Sequence, residues 1–354
     1  MKISIQVPAR ICFFGDHQDY LGLPVIAGSI NRFIYLKAEP IPQQEFNLNL
    51  PDIGKSRCIS LTSSTNTIPR GDYLLSSLEI LKKNGLEFKQ GYRIEISGDI
   101  PVNAGLSSSS ALTVAWIRFL VAIQENKKHI NDAQIGQWGY EAEVAFFNDP
   151  GGLMDQYTIA QQGLLCIETN SGKVDRLKSN LGDLIVAESG IPKQTVEVLK
   201  NARTFQERAL KQVRKEIPKY SIQSHPPSDY LRTKMLVEAK YRPYWFAATH
   251  NFAITKQARK LLDEEHPDTL RLGELMNAHQ RILENEIGNT PLEMIRMMNA
   301  ARKAGAYGAK IIGSGGGGCM VAMVPENAKH LVKKAFIDQG AKNAYEVKLT
   351  YPLL

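Results

Sequence analysis

Apolar and polar residues alternate with a period of two between Tyr92 and Ile100, which predicts a β-strand. After a turn that contains glycine and proline, residues 111–123 are apolar on nearly every side, and this run predicts a buried helix. Four consecutive serines, residues 107–110, lie between the strand and the helix. The serines therefore mark a strand-to-helix junction and not a flexible linker.

Strand-like and helix-like segments also alternate along the remainder of the chain. In the first half, the predicted strands cover about residues 3–7, 33–39, 46–50 and 163–169, and a further helix covers residues 134–147. In the second half, a strand at 183–190 and a Pro-containing loop at 216–231 precede helices at 244–265, 272–287 and 291–305 and strands at 309–312 and 319–324. We expect an α+β fold of two units, residues 1–182 and 183–354.

Length and charge narrow the class of protein. The 354 residues fit two domains of ordinary size, and 43 basic against 36 acidic residues give a net charge of +7, which favours anionic ligands. No basic stripe is interleaved with aromatic residues, so we do not expect nucleic-acid binding.

The four cysteines form no CxxC pair and no apolar run reaches ~18 residues, so we expect a cytoplasmic protein without a membrane span. The sequence carries no prediction of the oligomeric state.

The serine-rich loop has the position of an anion site. The start of a helix leaves about four backbone N–H groups without partners inside the helix, and the helix dipole attracts negative charge there. A single N-cap serine is the alternative interpretation, but it would account for one hydroxyl and not for four.

The glycine-rich loop Gly313–Gly318 formally matches G-x-G-x-x-G, with Asp338 further along as a dinucleotide-binding fold would require. That fold needs a helix after the loop, whereas the apolar residues 319–324 continue as a strand. The chain also contains no P-loop sequence. A glycine loop between two strands favours the wall of a site made by other segments, with a structural hairpin or a dinucleotide site as alternatives.

Four polar residues near the start of the chain form a second candidate group. Arg10, Asp16, His17 and Asp19 lie within ten residues of one another, and such a set can bind several hydroxyls at once. The group lacks the spacing of a metal site. The alternative is a polar turn in which Arg10 pairs with one of the carboxylates.

Two carboxylates form the third candidate group. Glu143 and Asp155 are separated by Pro150, Gly151 and Gly152, which break the helix between them. Carboxylates on separate elements suit two roles, one on a metal ion and one near a reacting group. Taken singly, each is equally well an ordinary capping or surface residue.

Taken in order, the segments PARICFFGDHQDY, PVNAGLSSSSA and KIIGSGGGGC resemble the three motifs of the GHMP kinase superfamily, named for galactokinase, homoserine kinase, mevalonate kinase and phosphomevalonate kinase. The resemblance covers the entire chain. It implies a two-domain α+β architecture, with a ribosomal protein S5 domain 2-like N-terminal domain and a ferredoxin-like C-terminal domain. It also implies an ATP-dependent kinase that uses Mg²⁺.

The resemblance implies a role for each motif. The serine loop would cradle the ATP phosphates, and the glycine-rich loop would close over nucleotide and substrate. Ser109 and Glu143 would coordinate Mg²⁺. Asp155 would lie by the acceptor hydroxyl as base or orienter, and Arg10 would keep Asp155 ionised and stabilise the developing alkoxide. The loop residues concerned are Gly105, Leu106, Ser107, Ser108, Ser109 and Ser110, and then Gly313, Ser314, Gly315, Gly316, Gly317 and Gly318.

The first motif, PARICFFGDHQDY, also indicates which compound accepts the phosphoryl group. It keeps the H-x-D-Y of galactokinases, and Arg10 stands where mevalonate kinases have lysine. The resemblance thus implies a sugar that is phosphorylated at its C1 hydroxyl and contacted by Asp16, His17, Asp19 and Gly152. Three departures are Asp16 in place of glutamate, the GSGGGG loop, which is closer to the mevalonate and heptose kinase form, and a C-terminal half without the SH-x-SL stretch of galactokinases. The alternatives are mevalonate kinase or another small-molecule kinase of the family, and a sensor that binds sugar and ATP without catalysis.

Overall fold

The computed structural model describes residues 2–62, 67–124, 130–179, 181–193 and 195–352, with the backbone alone for residues 195–200. The described residues form two β-sheets with helices packed against them. Within this part of the chain, no helix is both long enough and apolar enough to cross a lipid bilayer.

The first sheet contains seven strands in the described part of the chain. They are β1 (Ile3–Phe14), β2 (Val25–Ile41), β3 (Glu45–Leu50), β4 (Lys55–Ser60), β5 (Gly91–Gly98), β6 (Leu164–Glu168) and β7 (Lys173–Leu177). The helices of this half are α1 (Tyr73–Lys83), α2 (Ser108–Ala122), α3 (Asp132–Tyr140) and α4 (Met154–Gln161). Strand β3 runs parallel to β5, and the other pairs are antiparallel.

Strand β2 is the central strand of this sheet. One of its edges pairs with β1 along most of its length, while the other pairs with β6 at residues 25–28 and with β5 at residues 34–41. The end of the chain fills the gap between these two partners. Asn31 N–H donates to Lys348 O at 3.0 Å, and Thr350 N–H donates to Ser29 O at 2.9 Å. Backbone groups that neither β5 nor β6 reaches are thereby paired.

The second sheet has the order β11–β8–β10–β9, and all its pairs are antiparallel. Its strands are β8 (Asp183–Glu188), β9 (Gly308–Ile311), β10 (Cys319–Val324) and β11 (Asn343–Val347). The helices of this half are α5 (Thr195–Glu216), α6 (Tyr230–Thr233), α7 (Arg242–Leu262), α8 (Thr269–Ile282), α9 (Leu292–Lys303) and α10 (Lys329–Asp338). The glycine-rich loop joins β9 to β10, so the prediction of a loop between two strands is confirmed.

Helix α2 carries the serine loop into the core of the first half. It packs against β1 and β2, and most of its apolar side chains are buried. The Trp116 and Phe119 rings on this helix lie 5.4 and 5.6 Å from the Phe46 ring of β3, and Trp116 Nε1–H donates to Leu74 O at 3.0 Å. Because close aromatic packing of this kind tolerates little displacement, the start of α2 is firmly placed.

The structure adds elements that the sequence pattern did not predict, among them β4, α1 and β7. The predicted loop at 216–231 contains short 3₁₀ turns at Ile222–Ser224 and Pro227–Asp229. The first sheet ends at Leu177 and the second begins at Asp183, and the proposed division into residues 1–182 and 183–354 lies between them. The final residues cross this division, because they return to β2.

Close backbone contact between α8 and β9 generates a stability prediction. A Cβ atom on Gly273 would lie 2.5 Å from the carbonyl carbon of Tyr307, a contact that only a backbone shift can relieve. We expect Gly273→Ala to lower the free energy of unfolding by ~1–3 kcal/mol in urea denaturation. Helix propensity alone predicts the opposite sign, a gain of ~1 kcal/mol. The neighbouring Glu274→Ala is the control and should stay within ~0.5 kcal/mol of the wild type.

Candidate functional site

A cleft of about 300 Å³ lies where the two halves of the chain meet. The first half contributes the serine loop, the segment after β1 and the residues around the start of α4, and the second half contributes Lys193, Gly313 and Ser314. The predicted residues that line the cleft are Arg10, Asp16, His17, Asp19, Gly105, Ser107, Ser108, Ser109, Ser110, Glu143, Gly152, Asp155, Gly313 and Ser314. Three separate sequence segments of the first half are therefore brought to one place.

The serine loop presents the start of α2 to the cleft. Gly105 and Ser107 have φ angles of 91° and 59°, and this left-handed turn precedes the helix. No side chain in the described part of the chain caps the helix, so the N–H groups of its first turn keep their capacity for a bound anion. Leu106 is fully buried and does not line the cleft, so its side chain belongs to the core.

A buried guanidinium and a carboxylate face each other at the base of the cleft. Arg10 donates to both oxygens of Asp155, from Nε at 2.7 Å and from Nη2 at 2.8 Å, and its Nη1 donates to Gly105 O at 2.8 Å. The Ser107 hydroxyl donates to the same carboxylate. Burial alone would raise the pKa of Asp155, but the charge of Arg10 and these hydrogen bonds outweigh burial and lower it. Asp155 is therefore ionised and held in one orientation.

Glu143 lies on a π-helical turn, Glu141–Ala145, that continues α3. Its two oxygens accept hydrogen bonds from Ser109 Oγ at 2.7 Å and from Gln156 Nε2 at 2.6 Å. Burial raises the pKa of Glu143 in spite of these hydrogen bonds. A buried carboxylate beside a hydroxyl, without a basic partner among the described residues, is an oxygen donor set that suits Mg²⁺.

A Mg²⁺ ion at Ser109 and Glu143 would need further ligands that the protein does not supply from the described residues. Among the described residues, no group of three or more histidines, cysteines, aspartates and glutamates lies close enough to hold a metal ion. Mg²⁺ usually takes one or two carboxylates and completes its shell with water and phosphate oxygens. Ser109 and Glu143 therefore fit a cation that arrives with a phosphorylated ligand.

Asp16 forms an ion pair that crosses between the two halves. Lys310 on β9 donates to Asp16 Oδ2 at 2.7 Å, and also to Cys12 O at 3.1 Å and Ile311 O at 2.7 Å. The side chains of Lys310 and Asp16 are 0% and 2% exposed. Burial would raise the pKa of Asp16, but the charge of Lys310 outweighs it and lowers the pKa. The other oxygen, Oδ1, has no partner in the described part of the chain, so it is available to accept a hydrogen bond from a ligand.

His17 connects the same segment to the glycine-rich loop. Its Nε2 lies 2.9 Å from Ser314 O and 3.0 Å from Asn289 Nδ2, and its Nδ1 lies 3.4 Å from the Tyr20 hydroxyl. Burial lowers the pKa of His17, so the ring is neutral. With both nitrogens close to protein atoms, His17 positions the loop as well as lining the cleft.

Asp19 is the remaining carboxylate of the segment. It packs so closely against Gly152 that a Cβ atom there would overlap the carboxylate of Asp19. Burial and the negative charge of Asp155 raise the pKa of Asp19 to about 6. A side chain at Gly152 would therefore displace the carboxylate of Asp19.

Most of the glycine-rich loop packs against protein atoms. Cβ atoms on Gly315, Gly317 and Gly318 would lie 2.5, 2.6 and 2.6 Å from the backbone oxygens of Asn289, Pro192 and Ala104. Gly316 N–H donates to Asn289 O at 2.6 Å. Gly315–Gly318 do not line the cleft, and the loop meets it through Gly313 and Ser314.

Sequence reasoning missed several residues of the site, among them Asn289, Lys310 and Lys193. Asn289 anchors the glycine-rich loop, Lys310 pairs with Asp16, and Lys193 lines the cleft. Lys310 had a detectable signal, because a lysine inside the apolar run 309–312 requires a buried partner. Asn289 and Lys193 belong to no recognisable pattern, since each is an ordinary polar residue in a connecting segment.

The arrangement combines groups that suit an anion with groups that suit hydroxyls. The helix start and the Ser109–Glu143 pair suit phosphate groups and their counter-ion. The carboxylates of Asp16, Asp19 and Asp155 offer acceptors for a ligand with several hydroxyls. The Arg10–Asp155 pair contacts the serine loop through Gly105 O and the Ser107 hydroxyl.

Two family models match the chain and together cover half of it. The model of the GHMP kinases N terminal domain matches residues 72–163, and that of the GHMP kinases C terminal domain matches residues 258–342. The mevalonate kinase of Thermococcus gammatolerans is 25% identical over 98% of this chain and 96% of its own length. The galactokinase of Lacticaseibacillus casei is 26% identical over 97% of this chain and 89% of its own length.

A solved structure shares the fold over nearly the whole chain. The Lactococcus lactis galactokinase complexed with galactose superimposes with a TM-score of 0.86 at 22% identity, covering 98% of this chain and 93% of its own. The predicted α+β fold in two domains is therefore confirmed.

The buried ion pair between the halves generates a second stability prediction. We expect Lys310→Met to lower the free energy of unfolding by ~3–5 kcal/mol, because Asp16 would be left charged and buried without a partner. Urea denaturation monitored by circular dichroism measures the change. Lys334→Met, at an exposed pair with Asp338, is the control and should change stability by less than ~1 kcal/mol. The double variant Asp16→Asn with Lys310→Met should recover part of the loss. Equal effects of the two lysine variants would contradict the prediction.

Proposed function

Because the chain belongs to the GHMP kinase family, we propose that it is a sugar kinase of galactokinase type that phosphorylates the C1 hydroxyl of its substrate. Kinases of this family are ATP-dependent phosphotransferases with an alcohol group as acceptor, and the chain is one of them. Our proposal goes beyond the family in two respects, namely that the acceptor is a sugar and that its C1 hydroxyl is phosphorylated.

The position of Asp155 carries the proposal. Its carboxylate accepts hydrogen bonds from Arg10 and from Ser107 of the serine loop, and Arg10 in turn binds Gly105 O. Asp155 would thus lie where the proposed anion site meets the proposed hydroxyl site, and there an acceptor oxygen must approach a phosphoryl group. Its lowered pKa favours a role in orienting the acceptor hydroxyl over that of a strong base. Arg10 supplies positive charge beside the oxygen that becomes an alkoxide.

On the donor side, we propose that the serine loop and the uncapped start of α2 bind the phosphates of ATP. Ser109 and Glu143 would hold Mg²⁺. The bound ion would supply charge neutralisation for the phosphate oxygens. Gly313 and Ser314 would cover the site from the second half of the chain.

On the acceptor side, the hydrogen-bonding groups suit a polyol. Asp16 Oδ1 and the Ser314 hydroxyl are buried and lack partners among the described residues, and Asp19 adds a further carboxylate. A ligand with several hydroxyls would satisfy these groups, whereas an apolar ligand would leave them unpaired. The likeness to a galactokinase complexed with galactose supports the same class of acceptor.

Mevalonate is the second candidate. The mevalonate kinase of Thermococcus gammatolerans is as similar to this chain as the galactokinase of Lacticaseibacillus casei is, at 25% and 26% identity. A sensor that binds sugar and ATP without catalysis is disfavoured, because all four residues are present as two hydrogen-bonded pairs, Arg10 with Asp155 and Ser109 with Glu143.

Release of ADP from Mg·ATP, measured in a coupled assay, tests the proposal. The acceptors are D-galactose, glucuronic and galacturonic acids, N-acetylhexosamines, L-arabinose, D-mannose and mevalonate. We expect turnover with at least one sugar and none with mevalonate, and the position of the phosphate in the product identifies the hydroxyl. Turnover with mevalonate alone would overturn the sugar assignment. If no acceptor causes release of ADP, the protein does not phosphorylate any of the compounds tested.

Asp155→Asn tests the central carboxylate. We expect turnover with the preferred acceptor to fall by ~100-fold or more, because the neutral amide neither pairs with Arg10 nor orients the hydroxyl as a carboxylate does. Binding of ADP should be retained. Asp338→Asn, at an exposed residue on α10, is the matched control and should leave turnover unchanged. Unchanged turnover in Asp155→Asn would remove Asp155 from the mechanism.

A further inference from the structure

Lys193 lies in the segment that joins β8 to α5, and its side chain lines the cleft. The segment is attached to the glycine-rich loop before it reaches Lys193. Gly318 N–H donates to Ile191 O at 3.0 Å, and the Ser189 hydroxyl donates to Gly318 O at 2.6 Å. The backbone that carries Lys193 is therefore held against the loop that meets the cleft.

The ammonium group of Lys193 lies between the serine loop and the glycine-rich loop. A Cβ atom on Gly105 would be 3.4 Å from Lys193 Nζ, and one on Gly313 would be 3.3 Å from it. Gly105 is also the residue whose carbonyl binds Arg10. The ammonium thus reaches the junction of the anion site and the Arg10–Asp155 pair.

The charge of Lys193 is not matched by a partner. Arg10 and Lys310 each pair with a carboxylate of the cleft, Asp155 and Asp16 respectively. Lys193 has no ion pair or hydrogen bond among the described residues. Burial and the charge of Arg10 lower the pKa of Lys193 to about 8. A half-buried ammonium beside a guanidinium is stabilised by an anionic ligand.

We propose that Lys193 is a further catalytic residue, which contacts the γ-phosphoryl group of ATP and neutralises its oxygens during transfer. The inference rests on the proposed function in one respect, that the serine loop binds the ATP phosphates. In the step itself, a bond forms between the acceptor oxygen and the γ-phosphorus, and the bond to the bridging oxygen breaks with its electron pair leaving on ADP. Asp155 orients the acceptor hydroxyl, and the proton of that hydroxyl passes to solvent water. An ammonium is a compact charge that binds phosphate oxygens without requiring a planar arrangement.

Binding of nucleotides with and without a γ-phosphate tests the contact directly. In isothermal titration with Mg²⁺, we expect Lys193→Met to weaken binding of AMPPNP, a nonhydrolysable ATP analogue, by ~10-fold or more. Binding of ADP should change by less than ~2-fold. Lys193→Arg should restore most of the AMPPNP affinity, because it keeps the charge. Lys334→Met is the matched control at an exposed lysine and should leave both affinities unchanged.

These measurements need no acceptor, so their outcome does not depend on whether the acceptor is a sugar. Equal losses for AMPPNP and ADP, or no loss for either, would overturn the assignment of Lys193 to the γ-phosphoryl group. With the preferred acceptor, Lys193→Met should lower kcat by ~100-fold and change the acceptor KM little. A rise in the KM of a carboxylate-bearing acceptor at unchanged kcat would instead assign Lys193 to acceptor binding and overturn the proposal.

Discussion

The buried pair of Asp16 and Lys310 determines how the two halves of this protein meet. A lysine on β9 and an aspartate after β1 are each excluded from water, and each is tolerated because it neutralises the other. The pair fixes β9 against the segment that carries His17 and Asp19, and His17 then lies within hydrogen-bonding distance of Ser314. The cleft therefore depends on a contact beneath it, and its two walls cannot separate without exposing opposite charges.

The sequence predicted the class of protein, the fold and most of the residues that gather at the cleft. The three ordered motifs led to the GHMP kinase family and to kinase activity, and both are confirmed. What the pattern could not predict is how residues of unrelated segments pair. Lys310 lies within an apolar strand, and Lys193 lies in a connecting segment of ordinary composition, so neither position indicates a partner. The roles of Leu106 and Gly315–Gly318 also depend on which atoms face the cleft, which spacing along a chain does not reveal.

Two helices near the site continue as π turns in the part of the chain that the structure describes. Glu143 lies within a π turn that continues α3, and a second π turn, Leu283–Ile287, continues α8 and leads to Asn289. Such a turn inserts one residue into a helix and rotates the side chains beyond it, and π turns often occur at functional sites. Here one of them presents a carboxylate to the serine loop, and the other delivers the side chain that anchors the glycine-rich loop. The helices thus supply positions that a regular repeat would not reach.

The return of the chain end to β2 has a consequence for how the protein is made. Ser29 is fully buried, and its hydroxyl donates to Thr350 O at 2.9 Å while accepting from Gly163 N–H at 2.8 Å. During synthesis the first half leaves the ribosome long before residues 348–350 are made. Until then, Ser29 O and Asn31 N–H in the middle of β2 have no backbone partner from this segment. The nascent first domain is therefore exposed at one strand edge until residues 348–350 have been made, and a variant without these residues leaves that edge open to other chains.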